Sequence, residues 1–436
     1  MSTQVRKTQH RAALLTATTL TLLIVSGTVV AAGNPAADPG TSPAAQAWSL
    51  DLDTPTADDA GVRHTGGALR LDAPADADPA GASAPESPQA PAHQEAFGQL
   101  VAEPVTLDVA ATTVAADVDA TAPAGTSVLV DVRGRLTDQG PDSWTEWVPT
   151  GSPLPEPAET VQARITLVGE DDTSPAVRAV TLTPEAVRSS SLQEEAAEAA
   201  PSANERSYSV FATREGLVGG TTANGHVITS RDHFVALPSR RGLSPNDSSG
   251  SYSVRVCAAS TGRCAYAPVW DVGPWNITDD YWNPAGTRQS WTDLPQGRPQ
   301  AQAAYQDNYN GGLDGYGREV ANPAGIDLAD GTFWDAVGLT NNAWTTVTYL
   351  WTGSGPRGIV RTSGGPLTVR SGPGTNTAAV GQAGNYANVV IECTATGTTV
   401  TGTYGTSNIW DRIGPGNWVS DAYVNTGSDT PVAPPC

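Results

Sequence analysis

The sequence predicts an all-β protein built from several modules. The chain has 436 residues, which corresponds to two or three domains at about 150 residues per domain. Its 45 glycines and 34 prolines make up about 18% of the chain against an ordinary usage of about 12%, a composition that disfavours long helices. Segments in which apolar and polar residues alternate recur along the chain, as expected for half-buried strands.

The beginning of the chain predicts export. MSTQVRKTQHR is basic and precedes an apolar run from Ala12 to Val30, so residues 1–32 are expected to be a signal peptide, with an uncleaved anchor helix as the alternative. No second apolar run of about 20 residues follows, and we expect a secreted, extracellular protein without a membrane partner once the signal is cleaved. Residues 33–46 are rich in Ala, Pro and Gly and are expected to be a disordered tail.

Residues 47–187 are predicted to form an antiparallel β-sandwich. Several short segments with two-residue alternation, among them SVLVDVRGRL and ETVQARITLVG, are typical of this architecture. The Ala/Pro-rich residues 73–93 indicate a disordered loop, and residues 188–207, which are acidic and Ala-rich, indicate a linker. Trp144 and Trp147 suit a carbohydrate-binding sandwich, and a spacer or interaction domain is the alternative.

Charge and cysteine content limit the function further. The formal net charge of −21 argues against a nucleic-acid partner, which needs a basic surface. Four cysteines in an exported protein indicate two disulfides with three possible pairings. Cys257 and Cys264 flank the turn AASTGR, so a bridge across one hairpin is the simplest choice, and it leaves Cys393 and Cys436 as the second pair.

Several hydrolase motifs are missing from the sequence. There is no HExxH helix for zinc, no GxSxG elbow and no Walker A loop. The four histidines that follow the signal are too dispersed for a His-rich zinc site, so peptide or amide cleavage is disfavoured and no cofactor or metal is expected.

Four segments between residues 208 and 353 carry a family resemblance. GGTTANGHVI, RDHFVALPS, YAPVWDVGPWN and NPAGIDLADGTFWDAVGL are similar, in order and approximate spacing, to the double-psi β-barrel of the rare lipoprotein A and expansin group. The resemblance covers about 140 residues and implies a central double-psi β-barrel over residues 208–353. It further implies that Asp327 matches the family's Ile-Asp-Leu aspartate, Asp271 the aspartate before Gly-Pro, and His233 the family histidine.

These matches imply acid–base chemistry on a glycan. Asp327, desolvated on an apolar strand, would act as general acid toward a glycosidic oxygen and then as base in a lytic transglycosylase, with Asp271 beside it and His233 as an aid. The alternatives are an N-cap for Asp327, a turn-bracing role for Asp271 and an ordinary strand histidine at 233. Val272 stands where the bacterial wall enzymes commonly carry Arg, a departure that bears on catalysis and not on the fold.

Aromatic residues near the two aspartates suggest a glycan groove. Aromatic faces stack on the C–H faces of sugars, and Trp275, Tyr281 and Trp282 lie in loop-like sequence after Asp271. We expect these three to line the groove, and we expect Trp270 and Trp334 to belong to the core of the barrel.

Residues 357–436 resemble a bacterial SH3-like cell-wall-binding domain, through GPLTVRSGPGT and WDRIGPGNWVSDAYV. The resemblance implies an SH3-like small barrel that holds an exported protein on peptidoglycan. Tyr404 and Trp410 are then candidate binding aromatics, whereas Trp418 is expected in the core.

The sequence therefore leads to three hypotheses of different class. The first is a cell-wall-associated enzyme that binds peptidoglycan and cleaves its glycan strands. The second is a non-catalytic peptidoglycan-binding or wall-loosening protein with the same groove. The third is an adhesion or scaffold protein that uses the acidic N-terminal sandwich. The sequence leaves the oligomeric state open.

Overall fold

The computed structural model describes residues 46–54, 56, 58–72, 95–170, 173–185 and 205–436. The predicted signal peptide, most of the predicted tail, the loop 73–93 and most of the linker 188–207 lie outside these residues. Among the described residues, no helix combines the length and apolar character needed to cross a lipid bilayer. Strand residues far outnumber helical residues in the described chain, so the all-β prediction is confirmed.

The strands are numbered in chain order. They are β1 Trp48–Ser49, β2 Val62–Thr65, β3 Ala68–Leu71, β4 Glu95–Val101, β5 Val105–Thr121, β6 Ser127–Gly134, β7 Val148–Pro149, β8 Pro153–Glu170, β9 Ala176–Glu185, β10 Arg206–Glu215, β11 Val235–Leu237, β12 Ser253–Ala258, β13 Arg263–Val272, β14 Ala324–Ala329, β15 Ala343–Tyr349, β16 Arg357–Val360, β17 Leu367–Arg370, β18 Ala379–Ala383, β19 Asn388–Val390, β20 Cys393–Gly402, β21 Gly405–Gly414, β22 Asn417–Ser420 and β23 Val424–Asn425. One α-helix, α1, spans Gln300–Asp307, and a π-helical turn spans Gly331–Ala336.

The strands before residue 186 form one antiparallel sheet. Its order is β2-β3-β9-β5-β8-β6-β7, with β1 paired to β9 and β4 to β8. The two long strands β5 and β8 have 17 and 18 residues, and each pairs with different neighbours along its length. Alternate side chains of β5, β8 and the neighbouring β9, including Val114, Ile165 and Leu182, build a buried core.

The next strands close into a six-stranded barrel. The ring of pairings runs β10-β14-β11-β13-β12-β15 and returns to β10. The pairs β10–β14 and β11–β13 are parallel and the other four are antiparallel. Inward-facing apolar residues such as Val254, Val269 and Ile326 fill the interior. The first strand already begins at Arg206, two residues before the expected domain boundary.

The C-terminal strands continue the sheet of the barrel. Cys264, Ala265 and Tyr266 on β13 pair in parallel with Gly381, Gln382 and Ala383 on β18, and β17, β22, β21 and β20 follow outward. The strands β19, β16 and β23 form a smaller sheet beside them. Both expected disulfides are present: Cys257–Cys264 closes the β12–β13 hairpin, and Cys393–Cys436 attaches the end of the chain to β20.

The segment between β6 and β8 docks the N-terminal sheet on the barrel. Trp147 is fully buried and belongs to the core cluster of the barrel. The Glu146 carboxylate accepts hydrogen bonds from the indole N–H groups of Trp282 (2.5 Å) and Trp351 (2.7 Å), and from the amide of Asn283 (2.7 Å). Trp144 is also buried, so neither of these two tryptophans is available to bind a carbohydrate, which corrects that hypothesis.

Candidate functional site

The strand register brings Asp327 and Asp271 to one side of the barrel. Ala236 on β11 pairs with Asp327 on β14 and with Asp271 on β13, so the two aspartates flank it. Paired residues on neighbouring strands direct their side chains to the same face. The chain neighbours of Asp327, Ile326 and Leu328, point into the core, so this shared face is the outer surface of the barrel.

Strand β10 adds Thr213 and Glu215 to the same face. Thr213 pairs with Asp327 in the parallel register, and its hydroxyl donates a hydrogen bond to the Asp327 carboxylate. Glu215, two residues further along β10, is 8% exposed. It interacts electrostatically with both aspartates. We refer to Glu215, Asp271 and Asp327 as the acid cluster.

Burial raises the pKa of each carboxyl group in the acid cluster, but the neighbouring charges and hydrogen bonds differ from group to group. Burial, reinforced by the negative charges of Asp271 and Asp327, raises the pKa of Glu215 well above its ordinary value. Both carboxylate oxygens of Glu215 are buried, and neither has a hydrogen-bond partner among the described residues. Burial also raises the pKa of Asp271, whereas the hydrogen bonds from the backbone N–H groups of Ala223 and Val272, both 2.8 Å, favour its charged form.

Asp327 titrates in an intermediate range. Burial raises its pKa from 3.8 to about 6, the Thr213 hydrogen bond opposes this shift, and the charge of Asp271 adds to it. A half-buried carboxyl group that exchanges its proton near neutral pH is suited to general acid–base chemistry. The arrangement therefore offers, on the outer face of the barrel, one carboxyl group that can both donate and accept a proton near neutral pH.

The alternative roles of the aspartates are resolved by their contacts. The residue that precedes the Gly331–Ala336 turn is Asp330, which forms an ion pair with Arg214 at 2.6 Å, so Asp327 is not a helix cap. Asp271 does brace turns, through the N–H groups of Ala223 and Val272.

An exposed aromatic pair lies beside the acid cluster. Trp344 on β15 pairs with Phe211 on β10, and their rings meet edge to face with centroids 5.5 Å apart. Trp344 is 44% exposed. Phe211 and Thr213 lie two residues apart, so the pair is about 7 Å along the strand from the residue that contacts Asp327.

The sequence analysis did not single out Glu215 or Trp344. Glu215 ends an alternating strand immediately before a glycine-rich turn, and Trp344 stands at an outward position of β15. Both positions can be read from the sequence, but only the pairing of β10 with β14 and β15 shows that they lie near Asp327.

A large groove lies at the seam between the barrel and the C-terminal strands. Its volume is about 810 Å³, and its walls include the aromatic residues Trp270, Trp334 and Tyr386 together with polar side chains such as Arg231 and Asn385. Trp270 and Trp334 thus line an open surface as well as packing against the core, which corrects their assignment to the core alone. Neither aspartate of the acid cluster lines this groove.

His233 lines the groove, but its pKa is too low for a general base at neutral pH. It is partly buried, and burial lowers its pKa to about 4, so its ring is neutral at physiological pH. His226, also at the groove, forms a 2.7 Å hydrogen bond with Asp232 and packs against Trp270 in a tilted arrangement with ring centroids 4.6 Å apart. These contacts give both histidines a place in the groove wall.

The aromatic residues that were expected to line the glycan groove differ in how exposed they are. Tyr281 and Trp282 are fully buried: the Tyr281 hydroxyl donates to the Gly325 carbonyl at 2.8 Å, and Trp282 binds Glu146, so both assignments to an open groove are wrong. Trp275 is half-buried and donates to Asn322 at 3.3 Å.

The candidate binding aromatics of the C-terminal strands also differ in exposure. Trp410 is 2% exposed and donates to the Thr398 carbonyl at 2.9 Å, but it also lines a cavity of about 400 Å³ among the C-terminal strands and remains a candidate. Tyr404 is 45% exposed and remains a candidate, and Trp418 is buried as expected. In the described part of the chain, no group of three His, Cys, Asp or Glu side chains is arranged to hold a metal ion.

Comparisons with known proteins connect the chain to two sets of sequences. Residues 206–348, which span almost the whole barrel, match the model of a domain of unknown function, DUF8814. The chain is 49% identical over 87 residues to the uncharacterized protein YraI of Bacillus subtilis, a match that covers 18% of this chain and 72% of the relative. It is 51% identical over 86 residues to the uncharacterized protein YraJ of the same organism, covering 18% of this chain and 73% of the relative.

Proposed function

We propose that this chain, which belongs to the same family as the Bacillus subtilis proteins YraI and YraJ, is an exported cell-wall protein that binds peptidoglycan and cleaves its glycan strands. The observation that carries the proposal is the acid cluster on the outer face of the barrel. It places a carboxyl group with a pKa of about 6, Asp327, near two other buried carboxyl groups: Glu215, whose pKa burial raises well above its ordinary value, and Asp271, which accepts two backbone hydrogen bonds.

The topology of the barrel supports the double-psi assignment that underlies this proposal. A closed ring of six strands with the parallel pairs β10–β14 and β11–β13 is the pattern that such a barrel requires. In the same way, we propose a sandwich for the N-terminal sheet, because β5 and β8 change partners along their length, and an SH3-like barrel for the C-terminal strands.

The reaction proposed is that of a lytic transglycosylase. Protonated Asp327 donates its proton to the glycosidic oxygen as the bond from that oxygen to the anomeric carbon breaks. The resulting carboxylate accepts the proton of a hydroxyl group on the same sugar, whose oxygen bonds to the anomeric carbon and closes an anhydro ring. No water is consumed, and Asp327 ends the cycle protonated. Glu215 and Asp271 act as positioning residues, and Trp344 offers an aromatic face for a neighbouring sugar.

The test is to incubate the full chain with isolated peptidoglycan and to analyse the soluble products by mass. We expect fragments with anhydro-sugar ends, and we expect them to disappear in Asp327→Asn. Asp307→Asn, a change at an exposed carboxylate on α1, is the matched control. Circular dichroism of both variants reports whether the fold is intact, and products that persist in a folded Asp327→Asn protein would refute the assignment.

A second candidate function is supported by the position of the groove. Because neither aspartate lines the 810 Å³ groove, the chain can hold a polysaccharide there without cutting it. Such a binder would pellet with the cell wall and release no soluble fragment, whereas the enzyme would release anhydro products under the same conditions.

A further inference from the structure

The groove at the seam is a preformed feature of the fold. One wall comes from the barrel and the other from the strands that follow residue 357, and these parts are held together by the parallel pairing of β13 with β18. Gly381 on β18 approaches so closely that a Cβ there would lie 1.8 Å from the Cys264 carbonyl oxygen. A groove with walls fixed in this way requires no closure of domains before a ligand enters.

A second cavity adjoins the groove. It has a volume of about 400 Å³ and lies among the C-terminal strands, with Leu367, Val400 and Tyr423 in its lining. Gly364, Gly365 and Pro366 line both cavities, so this segment is a shared lip between them. Together the two spaces exceed the usual upper size of about 1,000 Å³ for a small-molecule pocket, and they suit a longer ligand.

Three side chains that line the cavities each have a buried polar atom without a hydrogen-bond partner among the described residues. They are Oε1 of Gln382 on the side of the groove, and Oγ1 of Thr362 and Oγ of Ser420 in the second cavity. Ser420 is only 4% exposed. A buried polar group without a partner costs free energy, so a ligand that forms hydrogen bonds with these side chains would offset that cost.

The side chains of the walls indicate the chemistry of that ligand. The groove combines the rings of Trp270, Trp334 and Tyr386 with planar polar groups such as Asn385. Arg231 and Asp335 form an ion pair at 3.1 Å, so these two charges balance locally. Ring faces next to hydroxyl-binding groups with little net charge suit sugars, which have apolar C–H faces and polar edges.

We propose that the two cavities form one continuous binding site for a linear polysaccharide strand, which crosses the lip at Gly364, Gly365 and Pro366. The identification of that strand as the glycan of peptidoglycan rests on the proposed function, but the site itself is separate from the acid cluster. The strand is held in the groove and the second cavity, at residues other than those that would cleave it.

The lip offers a sharp test. A Cβ at Gly365 meets no atom within 4 Å and the residue does not have a positive φ, so Gly365→Trp introduces bulk into the passage without backbone strain. Gly286 has the same properties outside both cavities, and Gly286→Trp is the matched control. Binding is measured by calorimetry on the full chain in an Asp327→Asn background, with long peptide-free glycan strands and with single disaccharides as probes.

We expect Gly365→Trp to weaken binding of long strands at least tenfold, with little change for disaccharides, and we expect Gly286→Trp to bind both as the parent does. Gln382→Met is a second variant that removes the buried acceptor, and it should weaken long strands several-fold. If Gly365→Trp and Gln382→Met bind long strands as tightly as the parent does, the continuous site is refuted. It is also refuted if the parent binds disaccharides as tightly as long strands. Binding of free stem peptides in place of glycan would refute the ligand class. Because no outcome depends on turnover, failure of this proposal and failure of the proposed cleavage are distinguishable.

Discussion

Replacing Asp327 by Asn should stabilise the protein, and the gain should depend on pH. In the folded chain the pKa of Asp327 is about 6, raised from 3.8. Between these two values the folded state binds more protons than the unfolded state, so this carboxyl group makes the free energy of unfolding fall as pH rises. A shift of about two pKa units corresponds to about 3 kcal/mol, reached only above pH 6.

Asparagine removes this penalty and keeps an acceptor oxygen for the Thr213 hydroxyl. We therefore expect Asp327→Asn to raise the free energy of unfolding by about 1 to 3 kcal/mol at pH 8 and by close to zero at pH 4, since the side chain of Asp327 keeps some contact with solvent. Urea denaturation of both proteins at intervals between pH 4 and pH 8 measures the difference. If the variant gains the same free energy of unfolding at pH 4 and at pH 8, or loses stability at pH 8, the reasoning about burial is refuted.

Three further outcomes follow from the structure. Glu146→Ala leaves two indole N–H groups and one amide without their buried acceptor and should lower the free energy of unfolding by about 2 to 5 kcal/mol in denaturant titrations. Trp344→Ala should slow peptidoglycan cleavage about 2- to 10-fold at limiting substrate while changing the unfolding midpoint little, because the ring is 44% exposed; a large loss of stability would show that the ring is structural. Changing Cys393 and Cys436 together to Ser opens a loop of 43 residues and should cost about 4 kcal/mol, and an unchanged melting temperature would contradict this loop-closure estimate.

Local patterns in the sequence carried the prediction of strands and disulfides. Two-residue alternation identified strands such as β6 and β9, because the period of side-chain direction is a local property. Cys257 and Cys264 are only seven residues apart, so a hairpin brought them together without any knowledge of the rest of the fold.

Contacts between distant segments explain what the sequence could not predict. Trp282 follows a loop-like pattern that suggests exposure, but Glu146, which accepts its indole N–H, is 136 residues earlier in the chain. Asp271 and Asp327 were singled out from a family resemblance, whereas Glu215 joins them only through the pairing of β10 with β14. The boundary expected near residue 357 was likewise placed by composition, which cannot reveal that β18 pairs with β13 across it.

The parallel ladder between β13 and β18 has a consequence for orientation on a surface. A rotation of the C-terminal strands relative to the barrel would have to break backbone hydrogen bonds at three successive residue pairs, starting at Cys264 and Gly381. Suppose that the C-terminal strands bind a polymer layer. The fold, and not a hinge, then sets the direction in which the outer face with Asp271 and Asp327 points. Such a protein would approach its polymer at one fixed angle, and only strands that run at a matching angle would reach the carboxyl groups.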